Sequence, residues 1–124
     1  MADTLLDTGL VVDFLRGSAK AATFVGALQS RPSVSVVTVA EIFAGLRSQK
    51  AEIAARGFFA QCGCLPLLHV IAEQAGHVLR HYRVSHGVDF PDALIAATAD
   101  HHGLVLATLN VKHFPTFKRL SPAY

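Results

Sequence analysis

The run Asp89-Phe90-Pro91-Asp92-Ala93-Leu94-Ile95-Ala96-Ala97-Thr98-Ala99 places two acids within four residues, and the seven residues after them carry no charge. Asp89 is positioned to cap a helix, and Pro91 suits its first turn, where a missing N–H costs nothing. A helix uncharged from Ala93 to Ala97 is expected to be buried nearly all round. Such an element belongs inside a layered domain. Carboxylates held at the rim of a core are unusual unless something uses them.

The rest of the chain supplies the layers. Thr4-Leu5-Leu6 reads as a short buried strand that ends at Asp7-Thr8 and feeds a helix over residues 9–16, stopped by Gly17. A second helix is expected over 18–28. Arg31-Pro32 signals a turn, and residues 33–37 are rich in β-branched side chains and read as a strand. Thr38-Val39-Ala40-Glu41 has the spacing of a capping box, opening a helix that runs to about Arg47. Another helix follows from Lys50 to Cys62, then a weak strand at 65–68. Val70, Ile71, Ala75, Val78, Leu79 and Tyr82 form a helical stripe, and residues 85–88 read as a loop. Leu104 to Thr108 is a strand, 109–115 a loop or short turn, and 117–120 an edge strand. Strands alternating with helices call for an α/β fold, a parallel sheet with helices on both faces. At 124 residues, without an internal repeat or linker, the chain reads as one domain spanning 1–124.

Composition narrows the function. Hydrophobic residues make up 52% and charged residues 16%, with a mean hydropathy of +0.40. No apolar run reaches the ~18–20 residues of a membrane span, so the excess points to a protein interface. A homodimer, a hetero-complex, or both are expected. A net charge of +2 is too mild to argue nucleic-acid binding by itself. The start of the chain shows no signal-peptide pattern, and Cys62 and Cys64, one residue apart, read as reduced thiols. Both features suggest the cytoplasm.

In a parallel α/β sheet, ligands bind beyond the carboxyl ends of the strands. Asp7 directly follows the first strand. Glu41 falls in the first turn of the helix after the second, Asp92 in the first turn of the apolar helix, and Asn110 just past the late strand. Each acid alone is explained by helix capping. Together they put three of nine acids at the same point of successive units. Gathered carboxylates raise one another's pKa, and a hard divalent cation removes that cost. Oxygen-only donors, few in number, point to Mg²⁺, with Mn²⁺ as a substitute. Such a site suits phosphodiester hydrolysis by a metal-activated water, with no serine or cysteine nucleophile.

The segments Leu5-Leu6-Asp7-Thr8, Val37-Thr38-Val39-Ala40-Glu41-Ile42, Asp92 to Ala99, and Leu106-Ala107-Thr108-Leu109-Asn110-Val111 resemble the motifs of the PIN-domain ribonucleases. The likeness is strongest to the VapC toxins of type II toxin–antitoxin pairs, and it covers nearly the whole chain in the family's order. It implies a three-layer α/β/α sandwich with a central, mostly parallel sheet. It also implies Mg²⁺-dependent endoribonuclease activity, a homodimer, and inhibition by a cognate VapB-like antitoxin. Asp7, Glu41 and Asp92 match the metal-binding acids, with Asn110 as a supporting catalytic residue. That last position is Asp in some members and Asn in others, and Asn here puts a second metal ion in doubt. Thr8 and Thr108 are candidate supporting hydroxyls, Asp89 reads as a cap, and Asp13 as a surface or dimer residue.

Other groups carry weaker signals. His77 and His81 are four apart on one helix, but no further metal ligand is evident. Cys62-Gly63-Cys64 with His69 fits no common zinc spacing. Arg16, Arg47, Lys50, Arg80, Arg83, Lys112 and Lys118 are candidates to line an RNA channel. Arg16 and Arg47 equally suit an antitoxin peptide. Phe58, Phe59 and the apolar residues near Leu46 suit its groove, or the core. Two other readings stand beside the nuclease: a PIN-like domain that binds RNA or a partner without cutting, motivated by Asn110, and a phospho-acceptor receiver domain, for which Lys112 is poorly placed.

Overall fold

Leu5 and Leu6 point to opposite faces of one short strand, as successive strand residues must, and each founds a separate core. The computed structural model describes residues 3–124. In chain order its elements are β1 (Thr4–Leu6), α1 (Thr8–Leu15), α2 (Ala19–Gly26), β2 (Ser33–Ser35), α3 (Val36–Ala44), α4 (Gln49–Ala60), β3 (Gly63–Leu65), α5 (His69–His86), α6 (Phe90–His101) and β4 (Val105–Ala107). A 3₁₀ turn, Val111–His113, follows β4. The sheet runs β3-β2-β1-β4, and every pairing is parallel. Leu5 stands opposite Ser33 on one side and Leu106 on the other.

Parallel neighbours need long crossovers, and each crossover here carries two helices. The chain steps outward from β1 to β2 to β3, then reverses to place β4 on the far side of β1. Because such crossovers are right-handed, reversing direction moves the helices to the other face. Accordingly, α1, α3 and α4 pack Leu10, Val11, Ile42, Ala55, Phe58 and Phe59 around Leu6 and Val34. On the opposite face α6 packs Ile95, Ala96 and Ala99 with Leu5, Leu106 and Phe114, and α5 closes over α6 through Ile71, Ala75 and Leu79. The result is the expected three-layer α/β/α sandwich. Ala93 and Ile95 to Ala99 are all buried, as the uncharged run required. Among the described residues no helix is long and apolar enough to cross a membrane.

Four expectations are corrected. The second strand ends at Ser35, because the Ser35 hydroxyl accepts the Val37 N–H and turns the chain into α3. Val36 and Val37 are therefore helical, tertiary context overriding their β preference. Thr38 is consequently no cap, and Glu41 lies one turn deeper in α3 than its sequence placed it. The third strand is Gly63–Leu65 rather than 65–68, since Pro66 has no N–H to extend the ladder with β2. Residues 85 and 86 continue α5, which ends at Gly87 with φ +64. Finally, 117–120 form turns, and Phe117 and Leu120 pack against the core instead of pairing with the sheet.

Candidate active site

The strand order reverses between β1 and β4, and the carboxyl ends of these two strands carry Asp7 and Thr108. This is the switch point where open α/β sheets form their crevice. Asp7 caps α1: its Oδ1 accepts the Thr8 N–H at 2.8 Å. Its Oδ2 accepts the Thr108 hydroxyl at 2.7 Å. The same Thr108 oxygen accepts the Asn110 N–H at 3.0 Å, so one buried hydroxyl ties Asp7 to the loop after β4. A Cβ on Gly9 would stand 3.8 Å from Asn110 Nδ2, which places that amide beside the first turn of α1.

Thr8 makes the second link. Its hydroxyl donates to Glu41 Oε1 at 2.7 Å and lies 2.9 Å from the Thr38 hydroxyl. With Thr8's single proton engaged by Glu41, Thr38 is the donor in the second bond. Thr38 and Glu41 thus share one face of α3, turned toward α1.

Asp92 enters from the other layer. It forms a reciprocal capping box with Asp89: the Asp92 N–H donates to Asp89 Oδ1 at 3.0 Å, and the Asp89 N–H reaches Asp92 Oδ2 at 3.5 Å. His113 Nδ1 lies 3.3 Å from Asp92 Oδ2. His113 escaped sequence reasoning. Its only signal was its place three residues after Asn110, in the turn that carries the loop back over the site.

Burial and charge act together on the two inner acids. Asp7 is 4% exposed, and burial raises its pKa above the carboxylate norm. The hydrogen bonds from Thr108 and Thr8 and the nearby His113 oppose that rise, while Asp89 adds to it. Burial, then Asp89, then Asp7 push Asp92 up from 3.8 to about 7. Asp7, Asp89 and Asp92 therefore lie within electrostatic reach of one another.

Among the described residues, no three acidic, histidine or cysteine side chains close into an ion cage. Asp7, Asp89 and Asp92 make an open acidic rim, and Glu41 is tied to it only through Thr8. The rim suits an ion such as Mg²⁺, which keeps several waters and takes one or two protein carboxylates plus substrate oxygens. A cation at this rim offsets the repulsion that raises Asp7 and Asp92. Two oxygen acids in one field are the donor type such an ion takes, while the expected three-acid cluster with Glu41 is not closed among the described residues.

The other candidates are resolved by their surroundings. The Cys62 thiol donates to the Phe58 carbonyl at 3.4 Å, and burial pushes its pKa up to about 11; among the described residues neither cysteine belongs to a group of three metal-ligating side chains. His69 pairs with Glu73, and His77 with Arg80. Asp13 is no simple surface residue: it accepts the Tyr124 hydroxyl at 2.8 Å and clasps the last turn of chain onto α1. Phe58 and Phe59 are core. Leu46 instead lines a cleft of about 640 Å³ with Val12, Leu15 and Ile42, and Arg16, Glu41 and Arg47 stand at its margin.

Comparison with known proteins agrees with this architecture. The PIN domain family model matches residues 4–120. Ribonuclease VapC10 of Mycobacterium tuberculosis is 41% identical over 123 residues, covering 97% of this chain and 92% of the relative. Ribonuclease VapC19 of the same organism is 39% identical over 125 residues, covering 97% and 98%. The toxin-antitoxin complex from Klebsiella pneumoniae contains a chain that superposes with a TM-score of 0.83 at 26% identity, covering 98% of each chain. Sequence and fold agree over almost the full length, and the chain belongs to the PIN-domain family.

Proposed function

We propose that this protein is a VapC-like toxin, a Mg²⁺-dependent endoribonuclease held in check by a cognate VapB-like antitoxin. The observation that carries the reading is the gathering of Asp7, Asp89 and Asp92 near the β1/β4 switch point, where the Thr108 hydroxyl holds Asp7, burial and Asp89 raise the pKa of Asp7, and burial, Asp89 and Asp7 raise that of Asp92. Structural capping alone gains nothing from that repulsion, whereas a cation-dependent site uses it. The names of the relatives, ribonucleases VapC10 and VapC19, support the reaction class.

In this reading Asp7, Asp92 and Glu41 hold Mg²⁺, and Asn110 supports them. When bound, the ion offsets phosphate charge and lowers the pKa of a water. The protein's own part is positioning. The Thr108 hydroxyl fixes the rotamer of Asp7, and Thr8 fixes that of Glu41. The Asp89 cap holds Asp92, while His113 stands beside it as a donor toward an anionic substrate.

The apolar cleft beginning at Glu41 suits an antitoxin peptide, whose binding there would cover one edge of the acids. Leu67, Leu68 and Val70, exposed together around the start of α5, supply an apolar patch for a homodimer. Cleavage of total RNA by purified protein, with and without Mg²⁺, tests the core of the proposal. Equal cleavage by Asp7→Asn and Asp92→Asn would end it. Asn110 in place of an acid favours one alternative, a PIN-like domain that binds RNA or a partner without cutting. Mg²⁺ binding without cleavage of any RNA would select that alternative.

A further inference from the structure

The corner between α5 and α6 carries exposed side chains, Phe90, Arg80 and Arg83, that neither the core nor the acid site uses. Phe90, the first residue of α6, is 62% exposed although it lies between Asp89 and Asp92 in the chain. The Arg83 guanidinium lies 5.9 Å from the Phe90 ring centroid and covers one face. Gly76, Leu79, Arg80 and Val84 complete a cleft of about 400 Å³ around that pair. From His77 to His86, α5 has Arg80 and Arg83 and no acid, and among the described residues neither arginine is paired with one.

An aromatic face next to a cationic track is the pattern that holds single-stranded nucleic acid: the ring stacks a base and the cations follow the phosphates. Phe90 and Asp92 lie in the same first turn of α6, about 3 Å apart in rise but roughly 200° apart around the axis. A strand that crosses the acids reaches this corner by passing around the helix N-terminus. We propose that Phe90, Arg83 and Arg80 form a nucleotide subsite that stacks one unpaired base of the RNA and contacts its backbone beside the scissile position. This rests on the ribonuclease reading above. A second copy of the chain fits the corner less well, because a twofold contact centred here would bring two copies of the unpaired Arg80 and Arg83 together with no acid from the corner to offset them.

The test is fluorescence anisotropy in EDTA, where cleavage is off. The probe is a labelled single-stranded oligoadenylate of about 12 nucleotides, within the usual size range of single-strand sites. Phe90→Ala is expected to weaken binding about tenfold, the loss of one base stack, and Phe90→Trp to retain it. Arg80→Gln and Arg83→Gln should each flatten the salt dependence, by about 0.7 in slope for every phosphate left without its cation. Wild-type affinity in Phe90→Ala, no affinity in the wild type, or an unchanged salt slope in the arginine variants would overturn the proposal. So would conversion of a dimer to a monomer by Phe90→Ala in light scattering, which would give the corner to a second copy. The two readings fail separately. Wild-type protein that binds this probe but cuts no RNA with Mg²⁺ refutes the nuclease and leaves the subsite. Protein that cuts RNA with KM unchanged by Phe90→Ala refutes the subsite and leaves the nuclease.

Discussion

Replacing Asp92 with Asn should make the metal-free protein more stable while removing its activity. The Asp92 side chain is 15% exposed, and its pKa is pushed from 3.8 to about 7 by burial and by Asp89 and Asp7. At about 1.4 kcal/mol per pH unit, that is a penalty of roughly 4 kcal/mol against the ionised folded form. Part of the penalty belongs jointly to Asp89 and Asp92, so a gain of about 1–3 kcal/mol is expected. Asn keeps an oxygen that can accept the Asp89 N–H, so the capping box survives the change.

The pH dependence identifies the cause. Below pH 3.8 the carboxyl is protonated in both folded and unfolded chains, and variant and wild type differ little. Between 3.8 and about 7 the unfolded chain loses this proton while the folded chain keeps it, so wild-type stability falls as pH rises. Above about 7 the gap has its full size. Thermal unfolding in EDTA at several pH values should show the variant's Tm higher by about 3–10 °C at pH 8, for a domain of this size, with convergence near pH 4. Added Mg²⁺ should raise the wild-type Tm and leave the variant's almost unmoved. A variant no more stable than wild type at pH 8, or a gap independent of pH, would refute the reasoning.

Thr108→Val removes one of the two donors to buried Asp7 at nearly constant volume. It should cost about 1–3 kcal/mol in urea unfolding, and Mg²⁺ should recover part of the loss. Phe58→Ala opens the α1/α4 face where Phe58 meets Phe14 at 4.9 Å between ring centroids. A loss of about 3 kcal/mol is expected in the same assay, with the cleavage rate per folded molecule preserved. Gly87→Ala forces an L side chain to φ +64 at the α5–α6 corner. It should cost about 1–2 kcal/mol, and an unchanged Tm would show that the corner relaxes freely.

Much of this fold was legible because its signals are local. The uncharged run 93–99 announced a helix buried on all sides, and its two acids announced the cap. The alternation of strands and helices announced the layers. Boundaries were less legible where two local signals compete. Val36 and Val37 look like strand, yet one Ser35 hydroxyl bond begins a helix there. Leu67 and Leu68 look like strand, yet Pro66 ends the ladder before them. His113 was missed because its value comes from a 3₁₀ turn that only the folded loop defines.

The sequence by itself determined which residues carry oxygen donors and that Asp7, Asp92 and Asn110 fall at strand or helix ends, though not how deep in α3 Glu41 lies. Those properties follow from short-range chemistry: capping, periodicity and the absence of charge. Only the tertiary structure decided that Thr108, a hundred residues along the chain, donates to Asp7, that Thr8 holds Glu41, and that Asp92 lies within Asp7's field. Such pairings depend on strand order. Placing β4 beside β1 is a global choice, set by which faces each crossover can bury, and no local stretch of residues encodes it.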